Sequence, residues 1–338
     1  MSDAGSKGAR SRDSQPAPYH TVWDRFESAF SVGVPDARWF HFETGPFVAN
    51  DGITTVSPEG LRVIPNGKSP ATGEPAFTNT LPQEKDASAV PGQFDHVKWL
   101  VFANHKASTG IPGFDAVSGQ ELAFETKISG RTFGTHAHPF GSAVRDPEDD
   151  LRLASFAQNA IDFETGMVFD FMFTNKRVYA LYERLSYART PQNPYAAFTY
   201  VIPVAERAPS TVHHVKIAYD RRAQVVRWLI DEKELFRVKG IGRRMDSKWL
   251  LCDHGGKEEE LDLRQLNCGM GMFTLLDSAQ DGRALVRLSG KADYYPHSQG
   301  KGASVPFVDE ESKPGSRLFG QGAEVRVQRY EVSSTLLG

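Results

Sequence analysis

With 338 residues, 40% of them hydrophobic and 24% charged, the chain has the composition of a globular protein that buries a sizeable core, which excludes a wholly disordered one. A net charge of −3 leaves no global field to recruit nucleic acid or an anionic membrane, so neither is an expected partner. No run approaches the roughly 20 apolar residues of a membrane span, and Cys252 and Cys268 are too few and too far apart for a disulfide framework or a zinc knuckle.

In chain order, residues 1–18 (MSDAGSKGARSRDSQPAP) are polar and basic and lack the apolar stretch of a secretory signal. They read as a disordered leader, with 19–338 as a single domain and the cytoplasm as the expected location. From Tyr19 onward, short segments alternate in hydropathy or are rich in β-branched and aromatic residues, between Gly, Pro, Asn and Asp. GLRVIP, KWLVFAN and ELAFETKIS are strands of this kind. Helix is expected only over Asp150–Gln158, where DLRLASFAQ suits two turns.

GMVFDFMFT and RVYALYERL flank Asn175 and Lys176, and Asn tolerates the positive φ of a two-residue hairpin turn. In that register Phe169, Phe171 and Phe173 share a face with Tyr182, Ala180 and Val178. Val168, Asp170 and Met172 share the other, mixed face with Glu183, Leu181 and Tyr179. Three further strands follow in VHHVKIAYD and VVRWLIDEKELFRV, and AEVRVQRYEV closes the chain. Pro296–Arg317, rich in Gly, Ser and Pro, is expected to be a long loop. Roughly a dozen strands without a fixed repeat predict an all-β antiparallel sandwich or barrel.

DRFESAF with ARWFHF, DGITTVSPEGLRVIP, GQELAFETKISG, VHHVKIAYDRRAQVVRWLIDEKELFRV and AEVRVQRYEV follow one another in an order that resembles the concanavalin A-like lectin and glucanase jelly roll, above all laminarinase-type glycoside hydrolases. The resemblance spans residues 22–332 and implies a jelly-roll β-sandwich. VFDFMFTNKRVYALYERL, CGMGMFTLLD and RLFGQGA also resemble stretches of uncharacterised bacterial proteins, and the likeness extends to β-sandwich or β-barrel cyclases of secondary metabolism. In the glucanases a strand written Glu-x-Asp-x-Glu carries the catalysis, because a nucleophile and a general acid must flank one glycosidic bond. NAIDFETG (159–166) stands at the corresponding place. Matching Asp162 to the middle acid and Glu164 to the general acid puts Ala160 at the nucleophile position. No register restores all three acids, so retaining glycoside hydrolysis is not expected.

His136 and His138 in GTHAHPFG would share a face if extended, but a third metal ligand is not evident and Pro139 and Gly141 suggest a loop. His213 and His214 are adjacent and face opposite sides of a strand. Asp253 and His254, followed by two glycines, read either as a turn or as a catalytic pair. No GxSxG, P-loop or GxGxxG is present.

What remains is the mixed face of the hairpin, read either as a solvated sheet face or as an aromatic-lined pocket for a small, largely apolar molecule. The functional reading is a cofactor-independent, metal-free cyclase or isomerase of natural-product biosynthesis, working by positioning and electrostatics. Its expected catalytic residues are Asp162, Glu164, Asp170, Tyr179 and Arg184, and its expected substrate-binding residues His136, His138, Tyr182 and Trp228. The expected partner is a small-molecule substrate, with a homodimer allowed. The alternative is a carbohydrate-binding or glycoside-hydrolase-like protein.

Overall fold

The alternating segments pair into two large antiparallel sheets stacked as a β-sandwich of jelly-roll type. A computed structural model describes residues 16–45, 47–84, 92–291, 294–295 and 305–338. The first sheet runs in the order Lys233–Lys239, Val225–Ile230, His213–Asp220, Gln120–Phe133, Gly322–Leu336, Gly60–Ile64 and Ile53–Ser57, with Tyr19–Asp24 also on Gly322–Leu336. The second runs Leu250–Asp253, Phe198–Glu206, Arg177–Arg184, Met167–Phe173, Ser155–Asp162, Gln265–Phe273, Val97–Ala103 and Trp39–His41, with Phe114–Asp115 beside Gln265–Phe273. The first and last of these strands in chain order meet in the first sheet, where Tyr19 pairs with Ser334.

Between the sheets lies a core led by Trp39, Trp99, Phe124, Phe156, Trp228 and Tyr330. Strand alternation supplies it, since every second side chain of a strand points to the same face. The expected hairpin has the expected register, with Phe169 opposite Tyr182, Phe171 opposite Ala180 and Phe173 opposite Val178. Its turn differs in one respect, because neither Asn175 nor Lys176 has a positive φ. Asn175 is buried and ties the turn to the other sheet. Its Oδ1 accepts from the Thr132 N–H (2.8 Å), and its Nδ2 donates to the Thr132 carbonyl (3.2 Å).

The helix expected over Asp150–Gln158 is not formed. Ser155–Asp162 is instead a central strand, buried on both faces between Met167–Phe173 and Gln265–Phe273. A short turn precedes it, held by the buried Asp150–Arg152 ion pair (2.6 Å). Tertiary pairing overrides a local helical preference here, as it readily does for a short segment.

GMGMF also follows strand alternation. Met270 and Met272 enter the core, while Gly269 and Gly271 face the opposite side. A Cβ on Gly269 would stand 2.6 Å from the Phe102 ring, and one on Gly271 2.6 Å from the Phe273 ring, so the glycines make room for those rings.

Of the expected leader 1–18, residues 1–15 lie outside the described residues, and the Pro16 carbonyl accepts from Gln120 Nε2 (2.8 Å). Of the expected loop Pro296–Arg317, residues 296–304 also lie outside, and the rest holds the strand Phe307–Asp309 and the helical turn Pro314–Arg317. No helix among the described residues is long and apolar enough to cross a membrane.

Candidate functional site

The strand that carries NAIDFETG presents its two faces differently from the expectation. Gln158 Nε2 donates to the Phe124 carbonyl of the first sheet (3.0 Å), and Phe156 and Ala160 lie in the core between the sheets. By alternation Asp162 belongs to that same row, and the strand ends there. Asp162 caps the following turn: its carboxyl accepts from the N–H groups of Glu164 and Thr165 (both 3.2 Å), the Thr165 hydroxyl (2.6 Å) and Gln265 Nε2 (2.6 Å). Glu164 sits in the turn and pairs with Arg264 (Nε to Oε2, 3.1 Å). The row Ala160, Asp162, Glu164 therefore does not project from the outward face of the second sheet; Asn159 and Ile161 do.

That outward face is mixed, as expected, with Asp170 and Glu183 among apolar neighbours, and it is covered rather than solvated. Ala157, Ile161, Val168, Met172, Leu181, Val201, Leu100 and Phe102 form a second cluster, roofed by Phe47, Phe94, Leu151 and Leu275. Within it is a cavity of about 90 Å³, lined among others by Phe94, Phe102, Ile161, Met172 and Leu181 and by four polar residues, Asn159, Asp170, Glu183 and His96. Its place in the fold explains the near-continuous apolar sequence MVFDFMF, since a strand buried on both faces has no solvent side to make polar.

Asn159, Asp170 and Glu183 form one row across neighbouring strands. Asn159 Nδ2 donates to Asp170 Oδ2 (2.7 Å), and the Ala160 N–H donates to Asp170 Oδ1 (3.1 Å). Glu183, two residues beyond the cross-strand partner of Asp170, accepts the Thr199 hydroxyl proton (2.6 Å). Burial raises the Asp170 carboxyl well above the ordinary carboxylate range, against the two hydrogen bonds that favour its charged form, and burial raises Glu183 as well. Asn159 Oδ1 is buried without a hydrogen-bond partner among the described residues. Also lining the cavity is His96, at the end of a 3-10 turn; its Nε2 is bonded to Asp277, whose other oxygen accepts from the Tyr295 hydroxyl (2.7 Å). Burial opposes the charge on His96, but the Asp277 carboxylate and the bond to it prevail and raise the imidazole above its usual value. Such an arrangement can donate protons or hydrogen bonds to an oxygen atom inside an apolar pocket.

The other residues expected at the site are dispersed. Tyr179 shares the face of Asp170 but donates to Asp149 Oδ1 (2.8 Å), beside Arg177. Arg184 pairs with Glu259 (2.6 Å) and lies over the Tyr195 ring, 3.8 Å from its centre. Tyr182 and Trp228 are buried between the sheets: the Tyr182 hydroxyl donates to the Arg243 carbonyl (2.9 Å), and Trp228 Nε1 donates to the backbone carbonyl of Asp170 (2.9 Å). His136 and His138 lie at a short 3-10 turn, with His136 3.8 Å from Glu148 and exposed. Only Asp170 of the nine reaches the cavity. Asn159, His96, Asp277 and Tyr295 carry no spacing signal, because they come from positions up to 199 residues apart (96 to 295); a polar residue interrupting an apolar run, as Asp170 does in MVFDFMF, is the trace that sequence offers.

On the outward face of the first sheet, ligand atoms of Glu125, His214 and Glu232 lie within 4.8 Å of one another. Glu125 there already pairs with Lys216 (2.9 Å).

A family model matches residues 23–336, and its description is Family of unknown function (DUF6081). The chain belongs to this family. An uncharacterised protein of Acanthamoeba polyphaga mimivirus is 28% identical to this DUF6081 chain over 285 residues, covering 68% of the chain and 60% of the viral protein. The chain thus spans less than two thirds of that relative's length. Among solved structures, a β-1,3-1,4-glucanase (lichenase) from a mouse hindgut metagenome is 8% identical, with a TM-score of 0.38 and coverage of 95% of this chain and 99% of that one. The Bacillus licheniformis β-glucanase is 7% identical, with a TM-score of 0.37 and the same coverages of 95% and 99%. The κ-carrageenase of Pseudoalteromonas carrageenovora is 11% identical, with a TM-score of 0.36 and coverages of 98% and 100%.

Proposed function

We propose that the covered outward face of the second sheet is a ligand site for a compact, largely apolar molecule bearing a hydroxyl or carbonyl oxygen, and that Asp170, Glu183 and His96 are its proton donors. The observation that carries this reading is the cluster of Asn159, Asp170 and Glu183 in a cavity otherwise lined mainly by Phe, Leu, Ile, Val and Met. Burying such groups is costly unless they are fully bonded. Asn159 Oδ1 has no hydrogen-bond partner among the described residues, so a ligand hydroxyl would complete it while the raised acids donate to the same oxygen. A few polar groups converging in an apolar pocket suit a small-molecule site. Ring closure in natural-product biosynthesis, the finer expectation from sequence, gains no support from the pocket or the comparisons.

The second reading is carbohydrate binding or cleavage. The solved structures named above are glucanases and a carrageenase by name; on this chain Asp170 and Glu183 are the carboxyls the covered cavity offers for such chemistry, while Asp162 is tied into a turn. The cavity lining contains no Trp or Tyr among the described residues, the side chains on which sugar rings commonly stack. Thermal-shift titration with cyclohexanol, cyclohexanone and laminaritriose separates the two readings. The proposal expects the first two to stabilise the protein and Val168→Phe, which fills the cavity, to abolish the effect. Stabilisation by laminaritriose alone would replace it with the carbohydrate reading.

A further inference from the structure

Two strands away from Glu183 along the same sheet row, Cys252 pairs across from Thr199 at the sheet edge. Its Sγ lies 3.3 Å from His254 Nε2, and the other ring nitrogen, Nδ1, is bonded to the backbone carbonyl of Tyr294. A carbonyl can only accept, so Nδ1 carries the hydrogen and Nε2 is left as the acceptor facing the thiol. Nucleophile, base and the group that orients the base are thus in line. Cys252 also lines a cavity of about 230 Å³ with Asp253, Asp277 and Tyr295. This cavity is distinct from the one holding Asp170, and Asp277 links them, bonded to His96 on one side and lining the second cavity on the other.

We propose that Cys252 and His254 form a nucleophilic dyad that accepts an acyl group from a small ester or thioester. In the first step Cys252 Sγ bonds to the acyl carbon while the thiol proton passes to His254 Nε2. The tetrahedral adduct then collapses: the bond to the leaving alkoxide or thiolate breaks, and the leaving group takes the electron pair and the proton from His254. Water attacks the resulting thioester, again giving a proton to His254; the C–S bond then breaks, Sγ takes the electron pair and the proton from His254, and the carboxylic acid and the free thiol are left. Burial and the carboxyls of Asp277, Glu183 and Asp253 hold the resting thiol uncharged, so the dyad works by proton transfer to the imidazole during attack and not from a preformed thiolate.

The full chain treated with p-nitrophenyl acetate near neutral pH, followed by peptide mass analysis, tests this. The expected result is a burst of p-nitrophenolate with one acetyl group on Cys252, formed faster than on the same cysteine in urea-unfolded chain, while the core residue Cys268 stays unmodified. His254→Asn and His254→Gln should each slow the acetylation about a hundredfold or more. Acetylation of native Cys252 no faster than in the unfolded chain overturns the proposal. So does an unchanged rate in both His254 variants.

Discussion

The two outward faces of the sandwich are built on opposite principles. On the first sheet, residues alternating with core positions form ion pairs, Lys216 with Glu125 (2.9 Å), Arg227 with Glu121 and Arg237 with Glu234, and His20 is hydrogen-bonded to Glu331 (2.6 Å). This is the ordinary solution for an antiparallel sheet with one wet side. The second sheet turns Ile161, Val168, Met172 and Leu181 outward and covers them with Phe47, Phe94 and Leu275. Polar groups on the first face need no explanation beyond solvation. Asn159, Asp170 and Glu183 on the second have no such reason to be there, and that contrast locates the candidate site.

Substitutions probe the contrast at three scales. Trp228→Ala removes a fully buried ring from the core and its hydrogen bond to the Asp170 carbonyl; a loss of about 3–5 kcal/mol is expected in urea unfolding. Asp170→Asn should act in the opposite direction. Because burial raises the folded-state value of this carboxyl above its unfolded value, the folded chain binds the proton more tightly. The associated stability is complete below the unfolded value, near pH 4, and is lost as pH rises toward the folded value, by up to about 1.4 kcal/mol per pH unit. Glu183 adds a slope of the same sign. Asp170→Asn should flatten the decline and melt above the wild type at pH 8, read from melting curves between pH 4 and pH 8. Equal slopes in the two proteins would mean that the carboxyl is not held protonated. Lys216→Ala on the first face breaks a partly exposed pair and should cost less than about 1 kcal/mol, diminishing in high salt.

Much of this architecture is legible in the sequence because strand period is a local property. The hairpin register around Asn175 follows from counting, and so does the division of Phe169 from Asp170. Counting cannot say which row faces the other sheet. The row Ala160, Asp162 and Glu164 has the spacing of a depleted catalytic strand, yet Ala160 packs in the core and Asp162 holds a turn closed by Gly166 at a φ of 75°. The Asp150–Gln158 segment departs from its local helical pattern because its environment includes a flanking strand over a hundred positions away. For the same reason His96, Asp277 and Cys252 meet only in the folded chain.

The most direct test of the central claim is a set of crystals soaked separately with cyclohexanol and with laminaritriose. Cyclohexanol is expected in the cavity over the second sheet, its hydroxyl within hydrogen-bond distance of Asn159 Oδ1 and of Asp170 or Glu183. An empty cavity in the cyclohexanol crystals, with laminaritriose bound elsewhere on the sandwich, would contradict it.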